Sequence, residues 1–263
     1  MCKKGEGLRP STPAGTVVPA PSYLSKWGLG TTVPSGSRAE PSPFFLEVLE
    51  ETDSTSTEVM RRATPGLAIL ARRQTQGRGR AGRVWQSLDG NLHLSVLLHP
   101  AGPAHRSLLA AVALHDALGA PALRLKWPND VLLAGRKLAG ILCEVESGSL
   151  VIGFGVNLAT CPPGAACAAE LGPAPDPEAF ARRLLDALAG WMARYRNEGF
   201  APIRTAWLAA AHAPGETIRA TLGGQTVTGT YEGLDEDGAL LLRANGRRLA
   251  IRSGEIAGAA DPA

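Results

Sequence analysis

The stretch LAILARRQTQGRGRAGR at residues 67–83 joins an apolar segment directly to a strongly cationic one. Its first five residues are apolar and predict a buried strand at 67–71. The loop that follows holds three glycines and, from residue 72 onward, five arginines without one acidic residue. A second apolar run at 91–98 predicts another strand beyond the loop. The pattern therefore predicts a cationic loop held between two strands of a sheet.

The positive charge of the chain is concentrated in this loop. The formal net charge is +3, and subtracting the five arginines leaves −2 for the rest of the chain. Glycines let a backbone approach a ligand closely, and guanidinium groups bind carboxylate and phosphate oxygens in pairs. One cationic loop on a near-neutral protein favours a small anionic ligand over a long polyanion. An arginine-glycine segment that binds nucleic acid remains the alternative, although such repeats usually lie in long low-complexity tails.

The other segments alternate between strand and helix patterns, which predicts an α/β (α+β) protein with a mixed sheet. The predicted strands are 44–49, 67–71, 91–98, 123–126, a hairpin of 131–133 with 138–145, and 150–157. The predicted helices are 55–63, 106–118, 177–198 and 200–211. The spacing of Thr55 and Glu58 fits a capping box at the start of the first helix.

Three segments are predicted along the chain. Residues 1–43 are rich in Pro, Gly, Ser and Thr and predict a disordered tail. Residues 44–212 form the α/β domain, and short strands with turns predict a small SH3-like β-barrel at 213–258. There is no apolar run near the roughly 20 residues that cross a membrane, and no secretory signal pattern. The four cysteines form no C-x-x-C pair, so we expect reduced thiols and a cytoplasmic location.

A second polar cluster follows the strand predicted at 123–126. Lys126 and Lys137 are candidates for neutralising a phosphate. Asp130 is a candidate for holding magnesium or orienting a lysine, and Asn129 precedes it. Each of these residues taken alone is more often an ordinary surface residue. Their order in the chain, after the cationic loop, is the stronger signal.

Five sequence blocks in a fixed order resemble the biotin protein ligase family. They are DST at 53–55, QTQGRGRAGRVW at 74–85, KWPND at 126–130, RKLAGIL at 136–142 and GFGVN at 153–157. The resemblance covers about residues 44–255 and implies the fold shared by class II aminoacyl-tRNA synthetases and biotin ligases. The chain departs from the pattern at Ser56, where the family often has asparagine.

The resemblance implies a reaction in two steps. Biotin and ATP with Mg²⁺ give biotinyl-5′-AMP and pyrophosphate, and biotin then passes to a lysine of a carrier domain such as that of acetyl-CoA carboxylase. Some members carry an N-terminal helix-turn-helix. Its pattern is not found in residues 1–43, so we expect no specific DNA binding, and either a monomer or a homodimer. A lipoate or octanoyl ligase or transferase is the nearest alternative, disfavoured by the intact loop and the C-terminal β module.

The same resemblance assigns roles to individual residues. The residues implied in catalysis are Arg78, Arg80, Arg83 and Lys137. Those implied in biotin binding are Ser54, Thr55, Ser56, Gln74, Arg78, Gly79, Arg80, Lys137, Gly140 and Gly153. Those implied in binding ATP or the adenylate are Arg78, Arg80, Arg83, Trp85, Lys126, Asn129 and Asn157, with Asp130 as the magnesium ligand. Cations near the phosphoryl oxygens stabilise developing charge, and a loop ordered over the adenylate excludes water.

Overall fold

The computed structural model describes residues 42–99 and 105–258. The tail predicted at 1–43 therefore lies, up to residue 41, outside the described residues. The strands are β1 (Phe45–Thr52), β2 (Leu67–Gln74), β3 (Leu92–Leu98), β4 (Leu123–Lys126), β5 (Asp130–Leu133), β6 (Arg136–Glu146), β7 (Ser149–Val156), β8 (Thr217–Leu222), β9 (Gln225–Leu234), β10 (Leu240–Ala244), β11 (Arg247–Ile251) and β12 (Glu255–Gly258). The helices are α1 (Thr55–Arg62), α2 (Arg106–Leu118), α3 (Pro177–Glu198) and α4 (Ala201–Ala210).

Seven strands form one mixed sheet in the order β1-β2-β3-β7-β6-β5-β4. Strands β1 and β2 are parallel, and every other neighbouring pair is antiparallel. Each strand predicted in this part of the chain is present, with shifts of a few residues at the ends. The mixed sheet predicted from the sequence is confirmed.

Helices cover both faces of this sheet. Helix α1 packs on β2, β3 and β7, where Val59 joins Ile69 and Leu97 in a small apolar cluster. Helices α2 and α3 pack on the opposite face, where the larger core contains Leu70 and Leu94. Because successive side chains of a strand point to opposite faces, a strand covered on both sides must be apolar throughout. All seven residues of β3 are accordingly buried.

The capping box predicted at the start of α1 is wrong. The N-cap is Ser54, and its side chain makes no capping hydrogen bond. Thr55 is already helical, and its hydroxyl contacts Gln74 and a serine of β3 instead. Glu58 pairs with Arg61 and Arg62, which lie one turn further along α1. The hydroxyl groups at this helix end thus face the sheet and not the helix backbone.

The C-terminal strands form an antiparallel sheet in the order β11-β10-β9-β8-β12. Ile218, Tyr231 and Leu240 lie in its buried side. Arg204 of α4 donates to the carbonyl oxygen of Leu234 at 3.0 Å between Nε and O, which joins this sheet to the helices. The predicted β module is therefore present, while closure into an SH3-like barrel and the predicted domain boundaries stay predictions. Within the described ranges, no helix is long and apolar enough to cross a membrane.

Candidate active site

The cationic loop and the neighbouring parts of the large sheet enclose a cavity with a volume of about 250 Å³. A cavity of this size suits a small molecule and not a polymer. Most of the residues selected from the sequence line it. They are Ser54, Thr55, Ser56, Gln74, Arg78, Gly79, Arg80, Arg83, Trp85, Asn129, Lys137, Gly140, Gly153 and Asn157. The selected residues Lys126 and Asp130 are not among its lining residues.

One end of the cavity is built from hydroxyl and amide groups, which we call the hydroxyl end (residues 54–56, Gln74 and Ser95). The Oγ atom of Ser95 lies 2.7 Å from Oγ1 of Thr55 and 3.0 Å from Oγ of Ser56. The side-chain oxygen of Gln74 accepts hydrogen bonds from the backbone N–H and the hydroxyl of Thr55, at 2.9 and 3.1 Å. The three residues at 54–56 are buried, and Ser95 is fully buried.

The sequence did not single out Ser95, although it is the centre of this network. A signal was present, because Ser95 and His93 interrupt an otherwise apolar strand. A buried hydroxyl is costly unless it is hydrogen-bonded, so a serine in such a strand indicates polar neighbours. Gly153, on the adjacent strand β7, pairs with Ser95 of β3. A Cβ atom there would lie 3.0 Å from Oγ of Ser56, so glycine leaves room for the hydroxyl groups.

Behind Gln74, a chain of hydrogen bonds runs into the sheet. The backbone N–H of Gln74 donates to Oγ of Ser87 at 2.8 Å. The same Oγ lies 3.2 Å from Nε2 of His93, whose Nδ1 lies 3.3 Å from the carbonyl oxygen of Ala71. Burial lowers the pKa of His93 below its ordinary value, more than its contact with Ala71 raises it. The neutral imidazole therefore supports the position of Gln74.

The ring of Trp85 forms one wall of the cavity and lies against β7. A Cβ atom at position 155 would come within 2.3 Å of the Trp85 ring, so Gly155 is required for this packing. The backbone N–H of Trp85 donates to the carbonyl oxygen of Gly77 at 2.9 Å, which closes the loop at its base. Among the described residues, the buried indole N–H of Trp85 has no hydrogen-bond partner. Gly155 belongs to the GFGVN block at 153–157, but no pattern in the sequence indicates its contact with Trp85.

Lys137 lies between the cavity and an acidic side chain. Its Nζ atom is 2.8 Å from Oδ1 of Asp130, and 5.8 Å from the centre of the Trp85 ring. Gly140 is next to it, since a Cβ atom there would lie 3.1 Å from the Lys137 side chain. Asp130 thus orients the lysine ammonium. Its role as a magnesium ligand stays a prediction.

The three loop arginines that line the cavity already have partners within the protein. Arg80 donates from Nη1 to Oδ1 of Asn129 at 3.0 Å, and Arg83 pairs with Glu255 of β12. Arg78 pairs with Glu144 at 3.0 Å. The Arg78 and Arg83 side chains are about half exposed, so solvent weakens these ion pairs. An anionic ligand can therefore replace the partners at small cost.

The segment that follows β7 closes another side of the cavity, through Pro162 and Ala165. The side chain of Asn157 donates to the carbonyl oxygen of Ala166 at 3.0 Å, and the N–H of Ala166 donates to the carbonyl oxygen of Lys137 at 2.9 Å. Asn157 therefore holds this segment in place. Its prediction as a nucleotide ligand is untested. No pattern in the sequence of this segment predicts that it lines the cavity.

Comparison with known proteins gives a consistent result. Residues 46–158 match the model of the biotin/lipoate A/B protein ligase family, and residues 215–257 match that of the biotin protein ligase C-terminal domain. The chain is 45% identical to a biotin–[acetyl-CoA-carboxylase] ligase of Paracoccus denitrificans, over 80% of this chain and 98% of that protein. It is 34% identical to the corresponding ligase of Mycobacterium tuberculosis, over 80% of this chain and 88% of that protein.

Among solved structures, the biotin protein ligase of Aquifex aeolicus in complex with biotin and ATP superposes with a TM-score of 0.74. The identity is 29%, and the match covers 81% of this chain and 97% of the other. The α/β fold predicted from the sequence blocks is confirmed by this match.

Proposed function

The chain belongs to the biotin protein ligase family, and from that premise we propose that it attaches biotin to a lysine of a carrier protein at the expense of ATP. The observation that carries the proposal is that two chemically different groups of side chains line one cavity. Buried, uncharged hydroxyl groups and the amide of Gln74 line the same cavity as arginines and a lysine. Biotin has the same division, with an uncharged ureido ring at one end and a carboxylate at the other. The arrangement therefore suits biotin joined to a nucleotide phosphate.

The hydroxyl end is the proposed binding site for the ureido ring. Ser54, Thr55, Ser56 and Gln74 offer hydroxyl and amide groups, and Gly153 leaves space for the ring next to them. Ser95 orients Thr55 and Ser56, so we add it to the site as a positioning residue. Ser56 keeps a hydrogen-bonding group where the family often has asparagine.

The cationic end is the proposed site of adenylate formation. The biotin carboxylate attacks the α-phosphorus of ATP, a new carboxylate–phosphorus bond forms, and pyrophosphate leaves. Negative charge on the phosphoryl oxygens is stabilised by Arg78, Arg80, Arg83 and Lys137. Gly79 and Gly140 leave room for the ligand near these side chains. Trp85, Asn129, Asn157 and Lys126 are the proposed nucleotide contacts.

Magnesium would be held on the same side by Asp130, whose carboxylate is a ligand type that this ion prefers. When bound, the ion neutralises charge on the nucleotide phosphates. The Asp130 carboxylate would serve both the ion and Lys137, because Nζ of Lys137 lies 2.8 Å from its Oδ1 atom. Loss of Asp130 would therefore affect both the lysine and the ion.

The second step joins biotin to the partner protein. The lysine amine of a carrier domain, such as that of acetyl-CoA carboxylase, attacks the acyl carbon, and AMP leaves. The loop at 74–83 keeps water from the adenylate until that amine arrives. We propose a cytoplasmic reaction, because Cys143, Cys161 and Cys167 are free thiols and ATP is a cytoplasmic substrate. Lipoate transfer is the less favoured alternative, since the C-terminal match is to biotin ligases specifically.

The proposal is tested by measuring pyrophosphate release from purified protein with biotin, ATP and magnesium. Lys137→Ala removes a cation from the reacting phosphate, so we expect release to fall by about 10²- to 10³-fold. Arg182→Ala, which removes an exposed ion pair on α3, is the matched control and should release pyrophosphate at the unmodified rate. Unchanged release in Lys137→Ala would refute the role of the lysine. Transfer of lipoate in preference to biotin would refute the proposed substrate.

A further inference from the structure

A second cluster of reactive side chains lies behind the cavity wall, in the segment that follows β7. The Sγ atoms of Cys161 and Cys167 and a carboxylate oxygen of Glu170 all lie within 4.8 Å of one another. Within residues 42–99 and 105–258, this is the one group of three or more such potential ligands that comes together. None of the three has a part in the ligase reaction proposed above. The spacing C-x5-C-x2-E gave no signal in the sequence.

The local backbone holds two of these groups together. Cys167 precedes a short 3₁₀ turn at Ala168–Glu170, and the two ends of this turn cap each other. The Glu170 carboxylate accepts a hydrogen bond from the N–H of Cys167 at 3.1 Å, and the N–H of Glu170 donates to the backbone carbonyl oxygen of Cys167 at 3.2 Å. These two hydrogen bonds hold the Glu170 carboxylate next to Cys167.

Cys161 completes the cluster from the other side of a tight turn. Its thiol is 3.5 Å from the carbonyl oxygen of Ala165, a weak contact that a stronger ligand bond can replace. Cys167 is buried, whereas Cys161 is half-buried and Glu170 is exposed. The cluster is therefore closed on the protein side and open to solvent on the other.

A neighbouring arginine supplies the positive charge that would make the cluster neutral with a divalent cation bound. Arg136 pairs with Glu170, and its Nη1 atom donates to the carbonyl oxygen of Ala165 at 2.9 Å. Two thiolates and one carboxylate carry three negative charges. A divalent cation together with Arg136 carries three positive charges, so the occupied cluster would be neutral. An outer arginine of this kind orients a ligating carboxylate.

We propose that Cys161, Cys167 and Glu170 form a binding site for a thiophilic divalent cation of the zinc class, with a water molecule as fourth ligand. Thiolates select zinc over magnesium and calcium, which prefer oxygen ligands. Zinc–sulfur bonds are about 2.3 Å long, so two sulfur ligands of one tetrahedral ion lie about 3.8 Å apart. The ligand atoms, which lie within 4.8 Å of one another, would therefore close by up to about 1 Å on binding. Binding releases the two thiol protons to solvent.

The position of the cluster indicates a structural role. The same segment supplies Pro162 and Ala165 to the cavity wall, and Ala166 holds the backbone of Lys137. A cation bound to Cys161, Cys167 and Glu170 would fix both ends of this segment. Site occupancy would therefore stabilise the wall next to Lys137 without contacting the substrate.

Cobalt binding to the full chain tests the proposal, under anaerobic and reducing conditions. We expect one equivalent of Co²⁺ to bind with a thiolate-to-metal charge-transfer band, and one equivalent of Zn²⁺ to abolish this band. Cys161→Ser and Cys167→Ser should each lose the band. Arg136→Gln should bind about 10- to 100-fold more weakly, because it removes the outer partner of Glu170. Cys143→Ser, which changes a thiol of β6 outside the cluster, should bind like the unmodified protein.

Thermal unfolding gives a second measurement, which does not depend on the spectrum of the metal. Zinc should raise the unfolding temperature of the unmodified protein and of Cys143→Ser, and leave that of Cys167→Ser unchanged. Absence of the charge-transfer band in the reduced, folded protein would overturn the proposal. Retention of the band in both Cys161→Ser and Cys167→Ser would overturn it as well. Neither result would bear on the ligase reaction, which is measured separately by pyrophosphate release.

Discussion

The two ends of the cavity differ in how their polar groups are satisfied. At the hydroxyl end, Thr55 and Ser95 are buried and hydrogen-bonded to each other at 2.7 Å. At the cationic end, Arg78 and Arg83 are about half exposed and pair with carboxylates that solvent also reaches. Buried hydrogen bonds fix a geometry, while exposed ion pairs contribute only about 0–1 kcal/mol. The hydroxyl end is therefore set before a ligand arrives, and the cationic end can rearrange around it.

This difference separates stability from ligand binding. Removing a buried hydroxyl leaves its former partners unsatisfied in the folded protein, so the fold is weakened. Removing an exposed arginine changes the fold little, because its ion pair contributed little. The arginine matters once a phosphate is present, since a charge-assisted hydrogen bond is roughly twice as strong as a neutral one. The two ends should consequently respond in opposite ways to substitution.

The largest effect is expected at the cationic end, in ligand binding. Arg80→Ala removes a charge-assisted contact worth about 1.5–3 kcal/mol, which corresponds to about 10- to 150-fold weaker retention of the adenylate. Arg80 is half-buried and forms hydrogen bonds to Asn129 and Gly254 instead of an ion pair, so its loss should lower the free energy of unfolding by about 1 kcal/mol. Release of labelled biotinyl-adenylate from the purified variant measures the first effect, and urea unfolding measures the second.

The control for Arg80→Ala is Arg182→Ala, which removes an arginine from an exposed ion pair on α3. This control should retain the adenylate like the unmodified protein. If Arg80→Ala retains the adenylate equally well, the loop does not serve as a lid. If it unfolds at a much lower urea concentration, the cationic end is part of the fold and the comparison fails.

The next effect is expected at the hydroxyl end, in stability. Ser95→Ala leaves the buried hydroxyl of Ser56 without its partner, while that of Thr55 keeps its hydrogen bond to Gln74, so the free energy of unfolding should fall by about 1–3 kcal/mol. Thr205→Ala removes an exposed hydroxyl from α4 and should change stability by less than about 0.5 kcal/mol. Urea unfolding of both variants checks the difference. An equal, small change in the two variants would show that the network around Ser95 does not support the fold.

The smallest effect concerns the imidazole behind Gln74. Burial lowers the pKa of His93 in the folded protein, so the unfolded chain binds a proton more readily. The stabilisation is fully present above the unfolded pKa of about 6.5 and is lost as the pH falls below it. Urea unfolding at about pH 7.5 and about pH 5.5 should show lower stability at the lower pH.

His93→Gln should reduce this dependence on pH. Burial also lowers the pKa of His105, so His105→Gln serves as the comparison that separates the two histidines. A pH dependence that is unchanged in His93→Gln would exclude His93 as its source. It would also argue against a neutral imidazole as the support of the hydroxyl end.

The order of strands and helices was accessible from the sequence because it depends on local apolar patterns. The long run of β3 and the helical spacing of α3 each indicate their structure without reference to distant residues. The capping box at Thr55 was wrong because a distant strand supplies the partner of its hydroxyl. Local patterns predict a helix or a strand, but they do not predict which of its side chains contact another helix or strand.

Most of the cavity residues were accessible through family motifs, which place them along the chain. Ser95 was missed because its role depends on the pairing of β3 with β7 and on the position of α1. The cluster of Cys161, Cys167 and Glu170 was missed for a related reason, since a tight turn and a 3₁₀ turn create it. Contacts between Arg83 and Glu255 join residues 172 positions apart, and no local pattern indicates them.

That last contact has a consequence for the order of events during protein synthesis. Arg80 also reaches the carbonyl oxygen of Gly254, which is 174 positions further along the chain. A ribosome adds about 5–20 residues per second, so roughly 10–35 seconds separate the loop from the strand that holds it. The loop arginines of a nascent chain lack these two partners until residues 254 and 255 have emerged from the ribosome. The ion pair between Arg83 and Glu255 thus forms only after the C-terminal β module has been synthesised.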